Sequence, residues 1–134
     1  MDNLRAGIIG CGDITTGKYF PAIKAAGGVD LLAFCDISEA KADIACAAHG
    51  VAGAKVFTDY QDMLGLDLDL VFVCTPNRSH SQVAVDMLRS GKHVMCEKPM
   101  AVSSLEAEKM LAAARETGKL LTIGYQSRFR ADSQ

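Results

Sequence analysis

The chain has no CxxC pair, no basic cluster, no long apolar run and no low-complexity tract, and each absence closes off a class of protein. Its five cysteines, at 11, 35, 46, 74 and 96, are an odd set at irregular spacing. They offer neither a paired disulfide framework nor a metal-ligand pattern, so no metal site is expected. Cys35, Cys74 and Cys96 each close an apolar run, where cysteine serves as a small buried hydrophobe. A formal charge of -2 leaves no cationic footprint for a polyanion, which argues against nucleic acid as a partner. No stretch approaches the roughly 18 apolar residues of a membrane helix, and no basic start leads into an apolar segment. The expectation is a cytoplasmic protein without a membrane partner.

What is present is ordinary in composition and regular in order. With 134 residues, 49% of them hydrophobic and 22% charged, the chain suits one globular domain with its own core. Strand-like runs at 4 to 10, 30 to 36, 54 to 57, 69 to 74, 92 to 96 and 119 to 123 alternate with helical patterns near 15 to 26, 38 to 49, 59 to 65, 79 to 90 and 103 to 117. Such alternation predicts an α/β fold, a doubly wound parallel sheet of six strands with helices on both faces. Thr58 with Gln61, Ser79 with Gln82 and Ser103 with Glu106 have capping-box spacing at helix starts. Gly50, Gly91 and Gly118 stand where helices need a left-handed residue to stop. The domain is drawn over 1 to 126, with 127 to 134 as a polar tail.

The first strand runs straight into Gly10-Cys11-Gly12-Asp13-Ile14-Thr15. Glycines at 10 and 12 permit a tight turn and close approach of a diphosphate, toward which the next helix directs its first N–H groups, those of Asp13 and Ile14 included. Thr15 occupies the place where glycine or alanine usually allows close helix–strand packing, so the fingerprint is two-thirds complete. Taken alone, the glycines also fit an ordinary strand-to-helix turn. Asp36, closing the second strand, is placed to accept hydrogen bonds from adenosine ribose hydroxyls, and its charge would oppose a 2′-phosphate. NAD is therefore favoured over NADP. Asp36 also fits a solvated loop acid, with Ser38 the better helix cap.

Two further strand ends carry polar chemistry. Pro76 stops the fourth strand, leaving Thr75, Pro76 and Asn77 at the edge where doubly wound sheets bind ligands. His80 follows, either as a nearby ring nitrogen or as a structural residue. The fifth strand ends Cys96-Glu97-Lys98-Pro99. Lys98 fits a group that holds a substrate hydroxyl and shares in proton transfer, and equally a solvated partner of Glu97. A cis bond before Pro99 is considered as a functional feature.

The ordered set Gly-Ile-Ile-Gly-Cys-Gly (7 to 12), Cys-Asp (35 to 36), Cys-Thr-Pro-Asn-x-x-His (74 to 80), Gly-Lys-His-Val-x-Cys-Glu-Lys-Pro (91 to 99) and Gly-Tyr-Gln-x-Arg-Phe (124 to 129) resembles the glucose-fructose oxidoreductase and inositol dehydrogenase family, Gfo/Idh/MocA. The resemblance implies an NAD(P)-dependent oxidoreductase acting on a secondary alcohol of a sugar, cyclitol or related polyol. It implies that Lys98 is catalytic and orients the substrate hydroxyl beside the nicotinamide, that Gln126 and Glu97 lie near the cofactor, and that Arg128 matches the arginine of the motif after the sixth strand. Family members carry a second, mainly antiparallel domain that completes the substrate pocket and supplies an aspartate and a histidine. Only five residues follow Phe129 here, so an N-terminal fragment is expected, catalytically incomplete. Apolar surface near Pro99, Tyr125 and Phe129 would then invite self-association. The alternatives are a stand-alone NAD-sensing module, and a domain for another nucleotide-like ligand such as a methyl donor.

Overall fold

A computed structural model of the chain describes residues 2–125. Gln126, Arg128, Phe129 and the tail from 127 lie outside the described residues. Strands β1 (Leu4–Ile9), β2 (Val29–Cys35), β3 (Lys55–Phe57), β4 (Leu70–Val73), β5 (His93–Glu97) and β6 (Leu121–Gly124) form one sheet in the order β3-β2-β1-β4-β5-β6. Every pairing is parallel. Helices α1 (Phe20–Ala26), α2 (Glu39–His49), α3 (His80–Arg89) and α4 (Ser104–Thr117) make crossovers. The chain winds outward from β1 to β3, returns to β4 beside β1, and winds outward again to β6, so β1 and β4 flank the point where the order reverses. This is the expected doubly wound architecture.

Strands covered on both faces lose the polar alternation of an exposed sheet. Ala6 to Ile9 and Val71 to Val73 are accordingly buried throughout. Side chains from β1, β2 and β4 divide between two cores: Ala6, Ile8, Phe34 and Phe72 pack with Phe20, Ala42 and Ala45 of α1 and α2. On the other face Ile9, Val71, Val73 and Val94 pack with Val83, Met87, Leu88 and Met110 of α3 and α4. A bulge in β2 skips Leu32, since Ala6 pairs Leu31 while Gly7 pairs Ala33. It lets Leu31 and Phe34, three residues apart, point into the same core.

Several local expectations are corrected. The segment 59 to 65 is a 3₁₀ turn (Tyr60–Met63), capped by Asp59 rather than Thr58. Its Met63 reaches the sheet because Gly7 has no side chain; a Cβ there would stand 2.7 Å from the Met63 methyl. Gly91 and Gly118 have the positive φ expected of them, but Gly50 is extended at φ -74. Gly50 is needed for space instead, because a Cβ would meet the Cys46 carbonyl at 2.7 Å and the Phe34 ring at 3.1 Å. Ser103 and Ser38 cap as expected, accepting from Glu106 and Lys41 N–H. The Ser79 hydroxyl does not cap; its oxygen lies 2.8 Å from Thr75 Oγ1 and 2.9 Å from the Pro76 carbonyl.

At the edge of the sheet where β1 and β4 begin, Arg5 bonds the Asp69 carboxylate through its backbone N–H and its guanidinium, at 2.8 to 3.2 Å, and pairs also with Asp67. The Arg5 contacts hold the Asp69 carboxyl down at about 2. Nearby Lys92 is 1% exposed, and its ammonium donates to the Leu64 carbonyl at 2.7 Å and Ser90 Oγ at 2.9 Å. That brace ties the crossover loop to the start of β5.

Burial pushes the thiols of Cys11, Cys35, Cys74 and Cys96 from 9.0 up to about 12. The unfolded chain therefore releases protons that the folded chain keeps, and stability is lost as pH rises between these values. Urea unfolding at graded pH should show stability falling above pH 9, by up to about 1.4 kcal/mol per pH unit for each thiol. Lys92, lowered by burial, acts in the opposite sense and does not offset four thiols. A flat profile over this range would show that the thiols are not shielded.

Candidate functional site

The site forms where β1 and β4 part. Gly10, directly after β1, has φ +97 and donates its N–H to the Cys35 carbonyl at 2.8 Å. A Cβ on Gly10 would lie 2.4 Å from the Cys74 carbonyl oxygen. Gly12 differs: a Cβ there meets nothing within 4 Å and would project into open space. Helical turns begin at Asp13, the N–H of Thr16 reaching the Gly12 carbonyl at 3.0 Å. The N–H groups of Asp13, Ile14 and Thr15 belong to the first turn, where no intrahelical acceptor exists. Asp13 is exposed, whereas the Ile14 side chain packs into the core beneath the turn.

Thr15, the residue in the third glycine position, is fully buried and donates its hydroxyl to the Gly10 carbonyl at 2.6 Å. Its side chain closes the turn on itself. From Thr15 to Tyr19 the helix is π-helical, and the Phe20 N–H bonds the Thr15 carbonyl five residues back. The widened turn begins at the residue that departs from the usual small side chain.

Asp36 follows β2 and is only half-buried. One carboxylate oxygen accepts from the Cys11 N–H at 2.8 Å and the other from the Ser38 N–H at 2.8 Å. The acid thus holds the glycine turn in place, and each oxygen retains a lone pair for a further donor. Gly10, Gly12, Asp36, Thr75 and Pro76 line one groove of about 1010 Å³. That is the upper end of the range for small-molecule sites and suits an elongated ligand.

Other walls of the groove were not singled out from the sequence: Ile37, Ser38, Lys41 and Arg78, with Thr58 to Tyr60 after β3. Ile37 is 96% exposed, an isolated aliphatic residue directly after the acid. Applying the rule that ligands gather at the carboxyl ends of strands to β3 as well would have found Thr58 to Tyr60. Cys11 and Cys35 are no nucleophiles here, since burial holds both as thiols.

Asn77, His80, Glu97 and Lys98 are not among the residues that line this groove. Asn77 is exposed at the start of a 3₁₀ turn (Asn77–Ser79). His80, for which the sequence left a ligand and a structural reading open, is fully buried, with Nδ1 2.7 Å from the Pro99 carbonyl and Nε2 2.8 Å from the Thr75 carbonyl. The ring lies between the two carbonyls and links the loop after β4 to the loop after β5. Glu97 closes β5 and accepts the Tyr19 hydroxyl at 2.5 Å rather than pairing with Lys98. Lys98 and Pro99 are exposed, and the bond between them is cis. Tyr125 is exposed beyond β6.

A glycine turn with an open Gly12 face, first-turn N–H groups and a braced strand-end acid fits a dinucleotide. The profile of the Gfo/Idh/MocA oxidoreductase family, NAD-binding Rossmann fold, matches residues 4–125. The chain belongs to this family. Inositol 2-dehydrogenase of Salmonella typhimurium is 33% identical over 94% of the chain and 38% of its own length. D-glucoside 3-dehydrogenase of Escherichia coli is 36% identical over 98% of the chain and 37% of its own length. Among solved structures, the WlbA dehydrogenase of Bordetella pertussis, in complex with NADH and UDP-GlcNAcA, superimposes with TM-score 0.90 at 32% identity, over 98% of this chain and 40% of that one. A 3-ketoreductase of Actinomadura kijaniata in complex with NADP gives TM-score 0.88 at 30% identity, over 98% and 41%. The chain thus spans about two fifths of the length of the relatives it matches.

Two glycine variants separate folding from binding. Gly10→Ala forces a side chain against the Cys74 carbonyl at positive φ and should cost at least about 2 kcal/mol in thermal or urea unfolding. Gly12→Ala should leave stability within about 0.5 kcal/mol while weakening dinucleotide binding roughly tenfold or more. Unimpaired binding by Gly12→Ala would show that the pyrophosphate lies elsewhere.

Proposed function

We propose that this chain is the cofactor domain of an NAD-dependent oxidoreductase that transfers hydride between the nicotinamide and a secondary alcohol of a sugar or cyclitol. The observation that carries it is the single groove shared by the open face of Gly12 and the braced carboxylate of Asp36. The names of the family relatives, inositol and glucoside dehydrogenases, support the substrate class.

Each residue then has a task. Gly10 and Gly12 let the backbone approach the pyrophosphate, and the first-turn N–H groups of Asp13 to Thr15 neutralise it. Asp36 accepts from the adenosine ribose hydroxyls with the lone pairs left by Cys11 and Ser38 N–H. Thr75 and Pro76 line the groove after β4, and Asn77, next in the chain, is assigned with Thr75 to the nicotinamide ribose or the diphosphate. When bound, the nicotinamide supplies the hydride-carrying carbon. Lys98 Nζ, exposed at the end of β5, holds the substrate hydroxyl and takes up or returns its proton as hydride leaves or arrives.

Asp36 favours NAD, because a 2′-phosphate would meet a carboxylate whose two oxygens are already fixed by backbone N–H groups. Lys41 and Arg78 line the same groove and reduce that penalty without replacing the carboxylate. Titration with NADH and NADPH should show NADH bound more tightly, and Asp36→Asn should narrow the ratio by about tenfold as the charge is lost. Equal affinity of the unsubstituted chain for both would overturn the NAD assignment, and absence of binding to either would overturn the dinucleotide reading.

A further inference from the structure

Tyr19 belongs to no motif, yet three elements converge on its hydroxyl. It lies at the end of the π-helical segment Thr15–Tyr19, is 8% exposed, and sets its ring edge-on to Phe72 of β4 at 6.0 Å. From there the hydroxyl donates to Glu97 Oε2 at 2.5 Å, a short bond of the charge-assisted kind. The third element is β6. Its last residue is Gly124, and a Cβ there would stand 2.8 Å from the Tyr19 oxygen and 3.3 Å from Glu97 Oε2.

The π segment explains how the tyrosine reaches this place. It inserts one residue relative to α-helical register, and so rotates Tyr19 by about a third of a turn from where an uninterrupted α-helix would aim it. Such insertions cost helix stability and are often found at functional sites. Here the insertion starts at Thr15, whose hydroxyl closes the glycine turn, and ends at Tyr19, whose hydroxyl holds Glu97. One short stretch of backbone thereby joins the pyrophosphate turn to the residue before Lys98.

We infer that Tyr19 is a positioning residue: through Glu97 it fixes the end of β5, with Lys98, at a set distance from the glycine turn, so that the nicotinamide end of the dinucleotide is received in one orientation. This rests on the dinucleotide reading above and adds to it a residue outside the groove. The adenosine end, held by Gly12 and Asp36, does not depend on the Tyr19 pair. The inference therefore predicts an effect confined to one half of the ligand.

The test compares NADH with ADP-ribose, which has the whole adenosine and pyrophosphate portion but no nicotinamide, by calorimetry on the full 134-residue chain. Tyr19→Phe removes one hydroxyl and keeps the ring on Phe72. Gly124→Ala keeps the hydroxyl and crowds the pair from β6, which makes it an independent route should Tyr19→Phe fail to fold by circular dichroism. Each variant should bind ADP-ribose within about twofold of the unsubstituted chain and NADH roughly tenfold more weakly. Parallel weakening of both ligands, or no weakening of NADH, would overturn the inference. Failure of the unsubstituted chain to bind ADP-ribose would instead overturn the dinucleotide reading itself.

Discussion

Gly10 has to pass the Cys74 carbonyl at a distance that admits no side chain, and the rest of the site follows from that contact. The close approach holds the ends of β1 and β4 together just where the chain turns away from the sheet. Because β1 continues toward α1 on one face and β4 toward α3 on the other, the connections diverge and leave a crevice above the join. A larger residue at Gly10 would part the strands and remove the floor of the groove. Positive φ and crowding by backbone act together there, so neither could be relieved by a side-chain adjustment.

The polar groups around the crevice are spent largely on each other. Asp36 is held by two backbone N–H groups, His80 spans two carbonyls, Thr15 closes the glycine turn and Tyr19 engages Glu97. These bonds fix four loops relative to one another, the preorganisation that ligand binding needs. Among the described residues, the open face of Gly12, the spare lone pairs of Asp36 and the exposed side chain of Lys98 stay available. Under the proposed function those three receive, in order, a pyrophosphate, a ribose and a substrate hydroxyl.

The architecture was largely legible because it is written in local terms: apolar runs of strand length, capping serines, and glycines at stops. All six strands lie within two residues of the positions read from the sequence. Asp36 was legible too, as an acid at a strand end. What escaped depends on contacts between distant segments. Gly50 reads as a left-handed stop but is required by its approach to Phe34. The stretch 59 to 65 has the spacing of a helix, yet it forms only a 3₁₀ turn, with Met63 filling the space over Gly7. His80 reads equally as a nearby ring nitrogen or a structural residue, and its burial between the Thr75 and Pro99 carbonyls is a contact between distant segments. Tyr19 carried no signal at all, because a π-helical insertion has no composition by which to recognise it.

The central claim is that one edge of the sheet, at the carboxyl ends of β1, β2 and β4, receives a dinucleotide. Its most direct test is to follow backbone amide resonances while NADH is added. The account predicts that the perturbed amides cluster at Gly10 to Thr15, Asp36 to Ser38 and Thr75 to Asn77. Perturbations gathered instead at the opposite edge, around Leu4, Leu70 and His93, would contradict it.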